Sequence, residues 1–248
     1  MSETNLIDRP VMPNLLHGDC LDLMAAIPDG SIDMVCCDMP YGTTNCRWDT
    51  TLDLQRLWAQ YRRVTKENAA IVLFAQLPFD KVLGCSNLPW LRYELIWEKT
   101  HPTGHLNAKK MPMKAHENIL VFYNKLPTYN PQKTSGHVRK TAVKRSDVTP
   151  VYGAQQFDEL PYDSTDRYPR SVLQFPSDKQ RIALHPTQKP LALVEWLIST
   201  YTNPGDTVLD NCMGSGTTGK ACKNLGREFI GMELDETYHR IATDRYAA

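Results

Sequence analysis

One stretch constrains the fold more than any other: Val208-Leu209-Asp210-Asn211-Cys212-Met213-Gly214-Ser215-Gly216-Thr217-Thr218-Gly219. A short β-prone run leads straight into glycines at 214, 216 and 219, and a helical pattern follows. Glycine lets a backbone turn sharply and approach a ligand closely. Strand, Gly-x-Gly-x-x-Gly loop and helix together form the nucleotide-binding unit of a doubly wound sheet. Glu233 ends the next apolar run, nineteen residues after Gly214, where a carboxylate can accept hydrogen bonds from both ribose hydroxyls. The pattern does not choose the ligand. A dinucleotide would set its pyrophosphate at the helix N-terminus, S-adenosylmethionine has no phosphate to set there, and a plain glycine turn needs no ligand. Only fifteen residues follow Glu233, too few to complete a sheet. The other strands are therefore expected earlier in the chain, in a permuted order with the cofactor half last.

The rest of the chain alternates strand and helix signals, which favours a mostly parallel α/β sheet. Leu15-Leu16-His17 leads to Gly18-Asp19-Cys20, and Leu21 to Ile27 reads as a short helix stopped by Pro28-Asp29-Gly30. Ile32 to Cys37, Ala69 to Ala75, Tyr93 to Trp97 and Asn118 to Tyr123 read as strands. Residues 51–66 read as a helix with Leu54, Leu57, Trp58 and Tyr61 on one face. Residues 124–185 lose this regularity. It returns at Pro190, suited to a first helical turn, with Leu191, Val194, Ile198 and Tyr201 on one face. Thr207 to Asp210, a helix ending near Gly226, a strand from Phe229 to Leu234 and a short closing helix complete the reading.

Asp38-Met39-Pro40-Tyr41 follows the strand that ends at Cys37. Open α/β sheets place their sites at such strand ends. The four residues suit one demanding reaction, alkylation of an exocyclic base amine. That nitrogen's lone pair is delocalised into the ring, so it attacks poorly. Two acceptors set against its N–H bonds favour a tetrahedral nitrogen and take up developing charge. Asp38 supplies a carboxylate, Met39 or Pro40 a backbone carbonyl, and Tyr41 a ring to stack on a base turned out of its helix. The plain alternative is a capping aspartate and a proline turn.

Charge is unevenly spread. Lys+Arg and Asp+Glu balance at 28 each, yet residues 99–145 hold ten basic residues and one acid, Glu117. The ten are Lys99, Lys109, Lys110, Lys114, Lys125, Lys133, Arg139, Lys140, Lys144 and Arg145. Such an excess suits phosphate contacts and salt-dependent binding to double-stranded DNA. Seven cysteines without a Cys-x-x-Cys pair point to reduced thiols in a cytoplasm. Seven histidines show no ligand spacing, so no metal is expected. The longest apolar run, Ala69 to Ala75, is too short to span a membrane, and the N-terminus does not read as a signal peptide.

Several stretches in this order resemble the β-class DNA amino-methyltransferases. They are Leu16-His17-Gly18-Asp19-Cys20-Leu21, Asp38-Met39-Pro40-Tyr41-Gly42, Trp97-Glu98-Lys99, His116 through Phe122, His185-Pro186-Thr187-Gln188-Lys189-Pro190, and Asp210 through Thr218. The resemblance implies the S-adenosylmethionine-dependent methyltransferase sheet with circularly permuted motifs. Residues 1–123 would form the catalytic half and 186–248 the cofactor half of one domain, with a target-recognition insertion at 124–185. It implies that Asp38, Met39, Pro40 and Tyr41 handle the target amine and base. Asp210, Cys212, Gly214, Gly216, Thr217 and Glu233 would hold S-adenosylmethionine. Asp19 and Cys20 would lie by its adenine ring, and Thr187, Lys189 and Pro190 by its methionine end. Lys109, Lys110, Lys114, Lys133, Arg139, Lys140, Lys144 and Arg145 are the candidate DNA contacts. The sequence departs from the family at Met39, in place of a proline, and at Cys212, in place of an aromatic.

The resemblance further implies site-specific methylation of adenine N6 in duplex DNA in a bacterium or a phage-infected cell; restriction–modification is one setting, and whether a restriction enzyme accompanies it stays open. A homodimer stays open. Cytosine N4 is the alternative target, since the chemistry is shared, and a catalytically silent DNA-binding protein on the same fold is the remote one. A cytosine C5 mechanism would need a Pro-Cys nucleophile, which is absent.

Overall fold

Side chains on a strand alternate between two faces, and in this protein both faces are covered. The computed structural model describes residues 15–42, 51–142, 162–177 and 188–247. Along the chain the strands are β1 (Leu15–His17), β2 (Ile32–Cys37), β3 (Thr65–Ala75), β4 (Leu91–Thr103), β5 (Lys114–Phe122), β6 (Lys140–Ala142), β7 (Tyr162–Ser164), β8 (Val172–Phe175), β9 (Thr207–Asp210) and β10 (Glu228–Glu233). The helices are α1 (Cys20–Leu23), α2 (Leu54–Val64), α3 (Phe79–Ser86), α4 (Leu191–Tyr201), α5 (Thr217–Leu225) and α6 (Glu236–Ala247). The chain divides into two compact units, one of residues 1–130 with 171–248 and one of residues 131–170.

The larger unit holds a sheet in the order β1-β10-β9-β2-β3-β5-β4-β8. β1, β10, β9, β2 and β3 run parallel to one another, β5 runs against β3 and β4, and β8 runs parallel to β4. The expected mostly parallel α/β sheet is therefore present, and its last-read strands β9 and β10 sit between β1 and β2 as the permuted order requires.

β2 shows why the sheet is sandwiched. Val35 and Cys37 face a core with Leu21, Met24, Leu57, Trp58, Tyr61 and Leu83 from α1, α2, α3 and the turn after α1. Met34 and Cys36 face the other core, with Leu193, Leu197, Ile198, Ala221, Cys222 and Ala242 from α4, α5 and α6. Leu57 is fully buried, so Leu57→Ala would cost about 2–5 kcal/mol.

Local chemistry sets the element ends. Asp53 caps α2, its carboxylate accepting from the N–H groups of Gln55 and Arg56 at 2.9 and 3.1 Å. The helix thus starts later than the expected 51. Pro190 stands just outside α4 in extended backbone rather than in its first turn. β3 begins at Thr65, four residues before the apolar run, because Lys66, Glu67 and Asn68 extend it with exposed side chains. β8 falls within the stretch expected as an insertion at 124–185, yet it hydrogen-bonds β4, and the smaller compact unit spans 131–170.

In that smaller unit β6 pairs antiparallel with β7. Thr134 and Arg167 exchange backbone hydrogen bonds at 3.0 and 2.8 Å, and Lys133 lies 4.5 Å from the centre of the Tyr168 ring.

Candidate active site

Parallel strands deliver their carboxyl ends to one edge of a sheet, where ligands of open α/β folds bind. Four adjacent strands here each bring a carboxylate to that edge. Asp19 follows β1, Glu233 ends β10, Asp210 ends β9 and Asp38 follows β2. Their register agrees, with His17 opposite Glu233 and Gly231 opposite Asp210.

The glycine loop is built around two of these acids. Gly214 N–H donates to Glu233 Oε2 at 2.8 Å, and Asp235 N–H to Oε1 at 2.9 Å. Burial nonetheless raises the Glu233 carboxyl above its ordinary range. Asp210 accepts from Thr218 Oγ1 at 2.6 Å and from Cys212 N–H at 3.1 Å. Its burial prevails over these bonds and pushes it up to about 7. Gly216 has φ 77° as it enters α5, and a Cβ there would stand 3.0 Å from that of Ala242 in α6. A Cβ on Gly219 would meet the Phe229 ring at 2.8 Å, so this glycine sets how closely α5 packs on β10.

The neighbouring residues are tied down in turn. Asp19 caps α1 through Leu21 N–H at 2.8 Å. Asn211 accepts from the Tyr61 hydroxyl at 2.6 Å, and its amide nitrogen lies 3.5 Å from Cys20 Sγ and 3.6 Å from Cys212 Sγ. Thr217 is buried and accepts from Arg245 of α6 at 3.0 Å. Burial pushes the nearby Cys37 thiol up to about 12, so it is protonated at neutral pH and not a nucleophile.

The densest charge cluster lies beside Asp38. Lys189 Nζ is 2.7 Å from Asp38 Oδ2 and 3.0 Å from Glu117 Oε2, while Lys99 Nζ is 2.6 Å from Glu117 Oε1. The Tyr41 hydroxyl donates to Asp38 Oδ1 at 2.5 Å, and its ring stacks on Phe79 with centroids 5.5 Å apart. Lys189 also lies 5.1 Å from the Phe74 ring centre and 5.8 Å from that of Tyr41. Its side chain is 8% exposed, and those of Lys99 and Glu117 are 12% and 13% exposed. Burial raises the Asp38 carboxyl, with Lys189 pulling against it. Burial also opposes the charge on Glu117, but Lys189 and Lys99 together overcome it and bring that carboxyl down to about 2.

This cluster was only partly readable beforehand. Asp38 and Tyr41 stand together as expected. Met39 is buried in the core, which leaves its backbone alone for chemistry. Lys189, expected beside the methionine end of the cofactor, is ion-paired with Asp38 and Glu117. Glu117 was missed because β5 runs antiparallel, so its start lies at the edge where the parallel strands end: Asn118 is opposite Ala75, the last residue of β3. One signal could have found it, since it is the sole acid among ten basic residues. Thr187 lies outside the described residues.

The same pairing revises the charge reading. Lys99, counted in the basic excess of residues 99–145, is spent on Glu117. Arg139 is paired with Asp163 of β7. Residues 131–170 hold seven basic but five acidic residues, so the smaller unit is only weakly basic. Lys109 and Lys110 are exposed on the connection from β4 to β5 and Lys114 at the start of β5, with no acid between Thr100 and His116. Lys140 is exposed in β6, and Lys144 and Arg145 lie outside the described residues.

Comparison with known proteins then bears on the site. The N6/N4 methyltransferase family, described as DNA methylase, matches residues 32–244. The DNA adenine methyltransferase YhdJ of Escherichia coli (strain K12) is 28% identical over 246 residues, covering 93% of this chain and 81% of the relative. The type II methyltransferase M.HinfI of Haemophilus influenzae is 27% identical over 277 residues, covering 99% and 70%. Among solved structures, the M1.HpyAVI–SAM complex superposes with a TM-score of 0.66 at 26% identity, covering 96% of this chain and all of that one.

Proposed function

The chain belongs to the N6/N4 DNA methylase family, and from that premise we propose that it methylates adenine N6 at a specific site in duplex DNA, using S-adenosylmethionine. The observation that carries the reading is the Asp38–Tyr41 pair at the carboxyl edge of β2, beside the glycine loop of β9 and Glu233 of β10. Asp38 in the first motif position and two relatives, one named as a DNA adenine methyltransferase, favour adenine over cytosine N4.

The residues fit the cofactor chemically. The Gly214 N–H that could greet a pyrophosphate is committed to Glu233, and the acids Asp19 and Glu233 beside the loop suit a ligand bearing a sulfonium and an ammonium better than an anion. When bound, S-adenosylmethionine supplies an electrophilic methyl group. Glu233 keeps lone pairs for ribose hydroxyls beyond its two backbone donors. Gly214 and Gly216 let the loop pass close to the ligand.

At the reacting end, Asp38 accepts a hydrogen bond from the target amine and takes up the charge that develops on its nitrogen as it attacks. The backbone carbonyl of Met39 or Pro40 accepts the other N–H. Tyr41 supplies the stacking face for a base turned out of the helix. Transfer is direct, which agrees with a buried, protonated Cys37.

We assign phosphate contact first to Lys109, Lys110 and Lys114, because their charges are exposed and unopposed within that segment. Residues 131–170 are the candidate for target recognition, and we place the enzyme in the cytoplasm, where its DNA is. The reading is tested by incubating the protein with tritiated cofactor and DNA, RNA or bulk protein in parallel. Label in DNA alone supports it, and label in RNA or protein alone refutes it.

A further inference from the structure

We propose that Lys189 is a positioning residue for methyl transfer: it holds Asp38 as an aimed carboxylate anion, and Glu117, backed by Lys99, sets the strength of that hold. The inference rests on the reading of Asp38 as acceptor for the target amine.

The geometry is a chain of alternating charge drawn from four separate segments. Lys99 on β4 pairs with Glu117 on β5, Glu117 pairs with Lys189 just before α4, and Lys189 pairs with Asp38 just after β2. Lys189 is enclosed by the Phe74 and Tyr41 rings and by the two carboxylates. An ammonium so placed has two anions to serve and almost no water. That is a poor use of a lysine meant for a phosphate or a solvated face.

Asp38 needs such a partner. Asp38 is partly buried, its side chain 23% exposed; such a carboxylate without a nearby cation is drawn towards its protonated form, and a protonated acid presents a donor where the amine needs an acceptor. Lys189 holds Oδ2 and so fixes how the carboxylate is turned. Tyr41 occupies Oδ1, on the other side.

Glu117 works in the opposite sense. It competes for the same ammonium, and its own charge opposes ionisation of Asp38. Lys99 moderates it by taking Oε1. Among the described residues, the other ionisable groups that interact with Asp38 are Tyr41 from its own loop, Cys36 and Cys37 from β2 and Asp210 from β9. The sign of each substitution therefore follows from electrostatics alone. Removing Lys189 disfavours the Asp38 anion, and removing Glu117 favours it.

The test is the pH dependence of single-turnover methyl transfer by the full chain, on duplex DNA carrying its site, with tritiated cofactor. In Lys189→Met the acid limb should move up by about one to two pH units, the scale for loss of an adjacent opposite charge. The rate should then recover as the pH is raised. Glu117→Gln should move the limb the other way, by less. Lys189→Arg should keep the limb near its wild-type position. Calorimetric affinity for S-adenosylmethionine should stay within about threefold of wild type in all three, since the effect lies on the reaction and not on cofactor binding.

Opposite shifts from Lys189→Met and Glu117→Gln support the proposal, because general damage to the fold would not produce them. An unmoved limb in either variant overturns it. So does loss of cofactor affinity in Lys189→Met with the limb in place, which would make Lys189 a cofactor ligand. If Lys189→Met does not fold, Glu117→Gln still decides by the presence or absence of a downward shift. Asp38→Ala separates this proposal from the reading beneath it. An inactive Asp38→Ala with unmoved limbs sinks the Lys189 role alone, whereas wild-type rates in Asp38→Ala remove the acceptor reading itself.

Discussion

The two ends of the acidic edge hold their carboxylates by different means. At the β9–β10 end, Asp210 and Glu233 are held by neutral donors: backbone N–H groups of Cys212, Gly214 and Asp235, and the hydroxyl of Thr218. Beside β2, Asp38 and Glu117 are held by the ammonium groups of Lys189 and Lys99. Neutral donors do not fully offset burial, so Asp210 rises to about 7. Two full charges do offset it for Glu117, which falls to about 2. Under the proposed function, the first end would hold the cofactor with neutral donors around its acids, and the second would keep an anion ready for a developing cation.

The largest effect should come from breaking the charged end at its centre. Asp38→Ala should lower turnover by about 10²–10³ while cofactor and DNA binding persist, the pattern for an interaction made mainly in the transition state. Single-turnover rates with parallel binding measurements check it. A matching loss of DNA or cofactor affinity would make Asp38 a binding residue.

The next effect contrasts the two ends through stability. Asp210 keeps its proton in the folded state up to about 7, whereas its ordinary value is 3.8. The unfolded chain therefore releases that proton first as pH rises. Folding stability should fall across this window by on the order of a few kcal/mol, and Asp210→Asn should flatten the fall. Glu117 has the opposite sign. Its contribution is complete above its ordinary 4.5 and is lost as pH drops towards about 2. Urea unfolding of wild type, Asp210→Asn and Glu117→Gln over pH measures both arms. Parallel curves for all three would erase the distinction.

Glu233→Ala tests the neutral end as a ligand cradle. It should weaken cofactor binding by about 1–3 kcal/mol, the scale for losing a hydrogen bond to a charged group. Calorimetry reads it, and an unchanged affinity in a folded variant would remove Glu233 from the ribose assignment.

The smallest effect concerns charge placement. Replacing Lys109, Lys110 and Lys114 together by alanine should make the slope of log K against log salt shallower by about 2.7 for non-target duplex, if all three meet phosphate. Arg139→Ala should change it far less, because Asp163 already neutralises that side chain. Equal changes would mean that the local pairing does not govern DNA contact.

The contrast also explains what could be read in advance. β2 and β9 have the bounds that their apolar runs suggested, and the glycine loop sits where its spacing placed it, because those signals are local. The neutral end is local too: Glu233 is nineteen residues from Gly214, and Thr218 is eight from Asp210. The charged end joins residues 38, 99, 117 and 189, and no spacing rule reaches across those gaps. It also depends on β5 running backwards, a topological fact with no local signature. α3 carries little local signal, being short and containing Gly84 and Ser86. β8 was hidden because only four residues pair, just beyond the 131–170 unit.

The central claim is direct transfer to adenine N6 with Asp38 as acceptor, and the most direct test is nucleoside mass spectrometry of duplex DNA after reaction with wild type and with Asp38→Ala. N6-methyldeoxyadenosine from wild type, and almost none from Asp38→Ala, is the expected result. N4-methyldeoxycytidine from wild type, or undiminished product from Asp38→Ala, would contradict it.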